Sequence, residues 1–331
     1  MTRTPYLLAL VLAALAIFVA ACGGDDEEPA TGSGSEPTAT ASADTSGQIV
    51  NNPDNAKTSL TIGSKSFTEQ RVLGEIYAQG LAAAGYDTKT DLNLADEQAA
   101  MAALEGGQIS AYPEYTGTAL LVFFKKDAAD LPKDPQAAYE EVKTGFEGKG
   151  ITAFPPTPFT SSNEVAVTKE TADRLQLKNI SDLSEHDQDL TLYGTPECRQ
   201  RMDCLLGLEQ IYGLKFKKFV PVAIDLRHEV LSKGDADVSI VFTTDPQVKR
   251  NKEVLLKDDK QMFPPYNSTL VMKKETADKA GPDLAKTIDL LQEQLTDENM
   301  QELNARVDLD KKDPAEVAKE YLTETGLISG S

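Results

Sequence analysis

Histidine is almost missing from this chain: His186 and His228 are the only two in 331 residues, and neither has the spacing of a metal ligand set. There is no Gly-x-Ser-x-Gly turn, so the nucleophile, base and orienting group that a hydrolase needs do not assemble. Cysteine is scarce too, with Cys22, Cys198 and Cys204 the only three. Positive charge is in the minority: 33 Lys and Arg stand against 53 Asp and Glu, a formal net charge of -20. Without a segregated basic cluster, such a chain is repelled by nucleic acid and by anionic membrane surfaces. That acidity fits a protein kept soluble outside the cytoplasm. Long apolar runs are confined to Leu7–Phe18 at the amino terminus.

That one run is informative. Arg3 precedes it, and Val19-Ala20-Ala21-Cys22 followed by two glycines ends it. Small residues before a thiol make a lipobox, which predicts a signal peptide over residues 1–21 and a lipid on Cys22. A transmembrane anchor is the rival, but the segment is at the short end of the roughly 17–25 residues that span a bilayer. Residues 22–57 then run through Gly, Ser, Thr, Ala, Pro and acids with hardly a large apolar side chain. Such a stretch cannot collapse; as a flexible tether it would set the folded part on the order of 30 Å from the bilayer. In an exported chain, Cys198 and Cys204 are expected to form a disulfide.

From Ser59 on, strand and helix patterns alternate, as in a parallel sheet. Ser59–Ile62 reads as a strand, and Gly63-Ser64-Lys65-Ser66-Phe67-Thr68-Glu69 leads into a helix to about Ala84. Ser66 and Glu69 have capping-box spacing. Lys65 is then either a solvated lysine or half of an anion site at the positive helix end. A strand over 87–92, a helix over 96–106 and a turn at Tyr112–Thr118 follow. Tyr112 and Tyr115 either wall a ligand crevice or bury their rings beneath that turn. Pro155-Pro156-Thr157-Pro158 and Pro264-Pro265 interrupt regular structure. Between them the same alternation repeats, so the chain is expected to leave a first lobe and return.

Taken together, Gly63–Glu69, Tyr112-Pro113-Glu114-Tyr115-Thr116-Gly117-Thr118, Thr195-Pro196-Glu197, Arg201-Met202-Asp203, Thr244-Asp245 and Phe263-Pro264-Pro265-Tyr266 resemble the substrate-binding proteins of osmoprotectant ABC transporters, for glycine betaine, choline and carnitine. The likeness runs from about Ser59 to Leu327. It implies a two-lobed α/β fold of the type II periplasmic-binding-protein kind with a two-segment hinge: residues 58–158 plus 265–331 as lobe one, 159–264 as lobe two, and the ligand cleft between them. It implies no enzyme activity and no cofactor. The partners it implies are a small zwitterionic or cationic solute and a membrane permease with its cytoplasmic ATPase, served from a lipid-anchored position on the extracytoplasmic face of the cell membrane. A binder of another polar solute, or a sensing module without transport, fits the same sequence.

In that family a tyrosine cage holds the quaternary ammonium by cation–π contact, and a lysine and an arginine hold the carboxylate. The matching motifs place Tyr115 in the cage, Thr118 beside it, and Lys65 and Arg201 on the carboxylate. Asn163, His228 and Asn251 fall where cage tyrosines are usual. The expectation is therefore a depleted cage, which holds a quaternary ammonium weakly or takes a more polar solute.

Overall fold

The computed structural model describes residues 47–127 and 130–329; the signal segment and Cys22 lie outside the described residues. The strands are, in chain order, β1 (Ser59–Lys65), β2 (Asp87–Leu94), β3 (Ala111–Tyr115), β4 (Ile151–Ala153), β5 (Asn163–Val167), β6 (Thr191–Gly194), β7 (Lys218–Pro221), β8 (Val238–Phe242), β9 (Val254–Leu256) and β10 (Ser268–Lys273). They build two five-stranded sheets, ordered β2-β1-β3-β10-β4 and β7-β6-β8-β5-β9. Each sheet with its helices is one α/β lobe. The chain crosses between them at residues 154–162 and again at 257–267.

Both sheets are mixed, where alternation of strand and helix suggests parallel pairing. β1 pairs in parallel with β2 and β3, and β6 with β7 and β8. The strands that follow the crossings run the other way: β5 is antiparallel to β8 and β9, and β10 to β3 and β4. A parallel connection requires a crossover of a dozen residues or so, usually with a helix. The crossings join a strand of one sheet to a strand of the other, so this rule leaves the direction of β5 and β10 open.

β3 is also a correction, since Tyr112–Tyr115 is strand rather than turn and all five of its residues are buried. Pro113 survives in this inner strand because of register. Thr116 N–H donates to Asn267 O at 3.1 Å, so alternate residues 112 and 114 face β10. The proline nitrogen points to the other edge, where β1 pairs with β3 only at Ile62–Ala111.

Each strand buries alternate side chains on opposite faces of its sheet. In lobe one, Leu270 and Met272 pack into a core with α1 (Thr68–Ala83) and the carboxy-terminal helices, including Leu73, Ile288, Leu291 and Tyr321. Val271, between them, faces a second core with α2 (Glu97–Gly106) and the helix Pro135–Glu147, including Leu104, Tyr112, Val142 and Phe146. Lobe two has its own core around Val165, Leu192, Leu208 and Val238. The two crossings run side by side: Ser161 N–H donates to Tyr266 O at 3.1 Å and Thr157 N–H to Ser268 O at 2.7 Å. Among the described residues, no helix is long and apolar enough to cross a membrane.

Candidate functional site

A cleft opens where the ends of β1, β3, β5, β6 and β8 meet between the lobes, the position at which α/β sheets hold ligands. Lobe one contributes Lys65, Phe67, Glu97, Tyr115 and Thr118; lobe two contributes Asn163, Thr195, Arg201, Arg227 and Phe242; the crossings contribute Ser161 and Tyr266.

Four aromatic rings line it. Phe67 stacks near Tyr115 with centroids 6.5 Å apart and planes at 22°, and meets Phe242 of the other lobe at 5.7 Å. Tyr266 is packed against Gly117, where a Cβ would come within 2.6 Å of its ring. That contact accounts for the glycine in Tyr115-Thr116-Gly117-Thr118. The rings that line the cleft are thus Phe67, Phe242 and Tyr266 beside Tyr115. Phe67 and Tyr266 sit inside motifs that carry the family resemblance, and Phe242 directly precedes Thr243-Thr244-Asp245.

The ring hydroxyls point away from the cleft into buried carboxylates. Tyr115 donates to Glu69 at 2.6 Å, and Glu69 also accepts from Asn304 Nδ2 at 3.0 Å. Burial pushes the Glu69 carboxyl up, against the pull of these hydrogen bonds. The predicted capping box is absent: α1 begins at Thr68, Phe67 is its N-cap residue, and no side chain caps it. Glu69 is turned inward to Tyr115 instead. Tyr266 donates to Asp203.

Every cation of the site has a protein carboxylate. Lys65 Nζ lies 2.7 Å from Glu114 Oε1 and 4.9 Å from the Tyr115 ring centroid. Glu114 accepts as well from Tyr112 Oη at 3.1 Å and Tyr115 N–H at 2.7 Å. Arg201 donates from Nε to Asp203 Oδ1 at 2.8 Å and from Nη2 to Asp203 Oδ2 at 2.6 Å. Its Nη1 reaches across the cleft to Glu97 Oε1 at 2.9 Å. Burial alone would lower the Arg201 pKa, but the charges of Asp203 and Glu97 outweigh it and raise it. Asp203, though buried, is held below the usual carboxylate range by Arg201. Asn163 donates to Asp203 Oδ2 at 3.0 Å. The Cys198–Cys204 disulfide, Cα atoms 5.1 Å apart, closes the loop that presents Arg201.

Lys65, Tyr115, Thr118, Asn163 and Arg201 are therefore brought together. His228 and Asn251 are not. His228 is buried beneath the site, with Nε2 2.9 Å from Asp245 and Nδ1 2.8 Å from Glu253; Asn251 donates to the same Glu253 at 2.9 Å. Desolvation would lower the His228 pKa, but the hydrogen bonds to the two carboxylates raise it. Asp245, despite its burial, is held down to about 2 by Arg227 and His228. Arg227 donates to Asp245 at 2.9 Å and lies 4.7 Å over the Phe242 ring, so this cluster supports one wall of the cleft. Among the described residues, no group of His, Cys, Asp and Glu could hold a metal ion.

Residues 58–324 match the model of the substrate binding domain of ABC-type glycine betaine transport systems. The chain is 36% identical over 280 residues to a glycine-betaine-binding protein of Pseudomonas aeruginosa, covering 81% of this chain and 88% of that protein. It is 29% identical over 282 residues to the carnitine transport binding protein OpuCC of Listeria monocytogenes, covering 83% and 89%. Among solved structures, a glycine betaine/carnitine/choline ABC transporter protein superposes with a TM-score of 0.66 at 30% identity, over 80% of this chain and 98% of that one.

Proposed function

We propose, because the chain belongs to the family of substrate-binding domains of ABC-type glycine betaine transport systems, that it is the lipid-anchored receptor delivering a quaternary ammonium solute to such an importer. It is a binding protein and not an enzyme. The observation that carries the ligand reading is the convergence of Phe67, Tyr115, Phe242 and Tyr266 from both lobes and a crossing on one cleft. A quaternary ammonium cannot donate hydrogen bonds, and ring faces are what attract it. A tyrosine whose hydroxyl is engaged behind the cage, as in Tyr115 and Tyr266, presents its ring and holds it still. Lys65, Thr118, Asn163 and Arg201 form the polar side of the cleft and would meet the other end of the solute. Lobe one is assigned residues 58–158 plus 265–331 and lobe two 159–264, with ligand between them. Cys22 is assigned the lipid, on the strength of the preceding Val19-Ala20-Ala21.

The test is calorimetry on the mature protein with betaines, choline, carnitine, amino acids and polyols. Quaternary ammonium solutes are expected to bind most tightly; amino acids or polyols binding while they do not would overturn the reading.

A further inference from the structure

We infer that the Cys198–Cys204 disulfide is a thiol-exchange site of the cleft: a small thiol entering the empty cleft attacks Cys204, the reaction frees the loop that carries Arg201 and Asp203, and bound solute shuts the thiol out. The inference goes beyond the quaternary ammonium reading and rests on it only for the solute used in the test.

The two sulfurs have different surroundings. Both cysteines belong to the core of lobe two, with Cys198 1% and Cys204 4% exposed. Of the pair, Cys204 alone lines the cleft. Gly194 lines it too, and a Cβ there would come within 2.8 Å of Cys198 Sγ, so the glycine leaves the bridge its room behind the cleft wall. Leu205 N–H donates to Cys198 Sγ at 3.2 Å. The route open to an outside thiol is therefore the cleft, and the sulfur it meets there is that of Cys204.

This asymmetry gives the exchange a direction. A thiolate attacking Cys204 Sγ forms a new S–S bond to it, the bond to Cys198 breaks, and Cys198 leaves with the electron pair and then takes a proton. The Leu205 N–H already rests on the departing sulfur, where it stabilises a thiolate and offsets part of the cost of its burial. With a dithiol, the second thiolate attacks the dithiol's own sulfur in the mixed disulfide and releases Cys204. The dithiol closes into a cyclic disulfide, and its two electrons pass to the protein.

What the bridge holds lies between its ends. Arg201 bonds Asp203 within the loop and Glu97 across the cleft, while Asp203 accepts from Tyr266 and Asn163. All of these contacts depend on where the loop stands. Opening the bridge returns conformational freedom to it, and ordering the loop again around a solute costs entropy. The reduced protein then holds the solute less tightly, and by linkage the solute favours the bridged form by the same factor.

The experiment treats the mature protein with glutathione, traps free thiols with iodoacetamide and locates both groups by mass spectrometry; trypsin cuts after Arg199 and Arg201, which separates the two cysteines. Glutathione is expected on Cys204 and the acetamide on Cys198; the reverse assignment overturns the inference. Dithiothreitol then gives the rate of reduction. Choline or glycine betaine, whichever calorimetry shows to bind, added at about ten times its Kd should slow that rate by about tenfold, since only the empty cleft reacts; equal rates overturn it. Because a bound solute also suppresses unfolding, the rate is measured again in urea below the unfolding transition. A rate indifferent to urea supports entry through the cleft, and one that climbs in step with unfolding overturns it. Kept in dithiothreitol, the reduced protein should bind the solute about fivefold more weakly, and unchanged affinity refutes the release of the loop. If neither solute binds, the quaternary ammonium reading fails, and the adduct position and the urea response still decide the exchange site.

Discussion

Tyr115 has a divided role: its ring faces the cleft while its hydroxyl holds Glu69. The two parts separate by substitution. Tyr115→Phe keeps the ring and removes a donor from a buried carboxyl, so it should cost about 1 kcal/mol of stability and leave quaternary ammonium affinity within a few-fold. Tyr115→Leu removes the ring and should cost about 0.5–2 kcal/mol of binding. Denaturant unfolding and calorimetry read the two losses apart; equal affinity losses in both variants would show that the hydroxyl, not the ring, matters to the ligand. His228 gives a pH signature. Its folded pKa is raised by Asp245 and Glu253 above the ordinary imidazole value, so the stability it adds is complete below about pH 6.5 and is lost as pH rises through the folded value. Relative to the parent, His228→Gln should therefore be most destabilised in mild acid, with the gap narrowing toward alkaline pH in thermal melts. The family resemblance puts His228 at a cage position. Its real partners lie 17 and 25 positions away, and nothing local on its helix points to them. The family motifs put Tyr115 and Arg201 at the ligand, and both line the cleft, where Glu114 braces Lys65 beside Tyr115 and Asp203 braces Arg201.

The loop from Cys198 to Cys204 carries Arg201 between its ends, so its stiffness bears on the site as well as on stability. A sequence separation of 6 predicts about 2 kcal/mol from the loop entropy removed from the unfolded chain. Reduction, or a Cys198→Ala/Cys204→Ala pair, should lower the melting temperature accordingly; unchanged melting with and without reductant would contradict this. Gly117→Ala tests the contact between the helical turn Thr116–Thr118 after β3 and the second crossing. Its Cβ would lie 2.6 Å from the Tyr266 ring, so the ring must shift, and affinity should fall more than stability does. Strand and helix positions were readable from hydrophobic period and proline breaks. Direction was not, because a β pattern is the same whichever way its neighbour runs. β5 and β10 are antiparallel to strands far from them in the chain, and nothing local to either shows it. β3 was obscured by Pro113, which sequence reasoning assigns to turns; only the register with β10 shows that its missing N–H falls on an edge where none is needed.

For the molecule as a whole, two crossings bonded side by side between lobes with separate cores describe a hinge. Small-angle scattering should show compaction on saturation with a bound quaternary ammonium solute, and no change would argue against closure on ligand. Cys22→Ala should release the full-length protein from the membrane fraction in soluble or unprocessed form; a cleaved product that still sediments with membranes would rule out the lipid. The interruption of lobe one by lobe two also sets an order of events in folding. Strands β5 to β9 are contiguous in the chain, so their sheet can assemble as soon as residue 256 is available. In the other sheet β4 is joined to β3 only through β10, which arrives after the whole of lobe two. Closing that long loop is entropically slow. Pulse-labelled hydrogen exchange during refolding should find β5–β9 amides protected before those of β3 and β4, and the reverse order would refute it. The lobe nearer the amino terminus is then the last to be finished, and until β10 docks, Tyr266 is not held against Gly117 on the wall of the cleft.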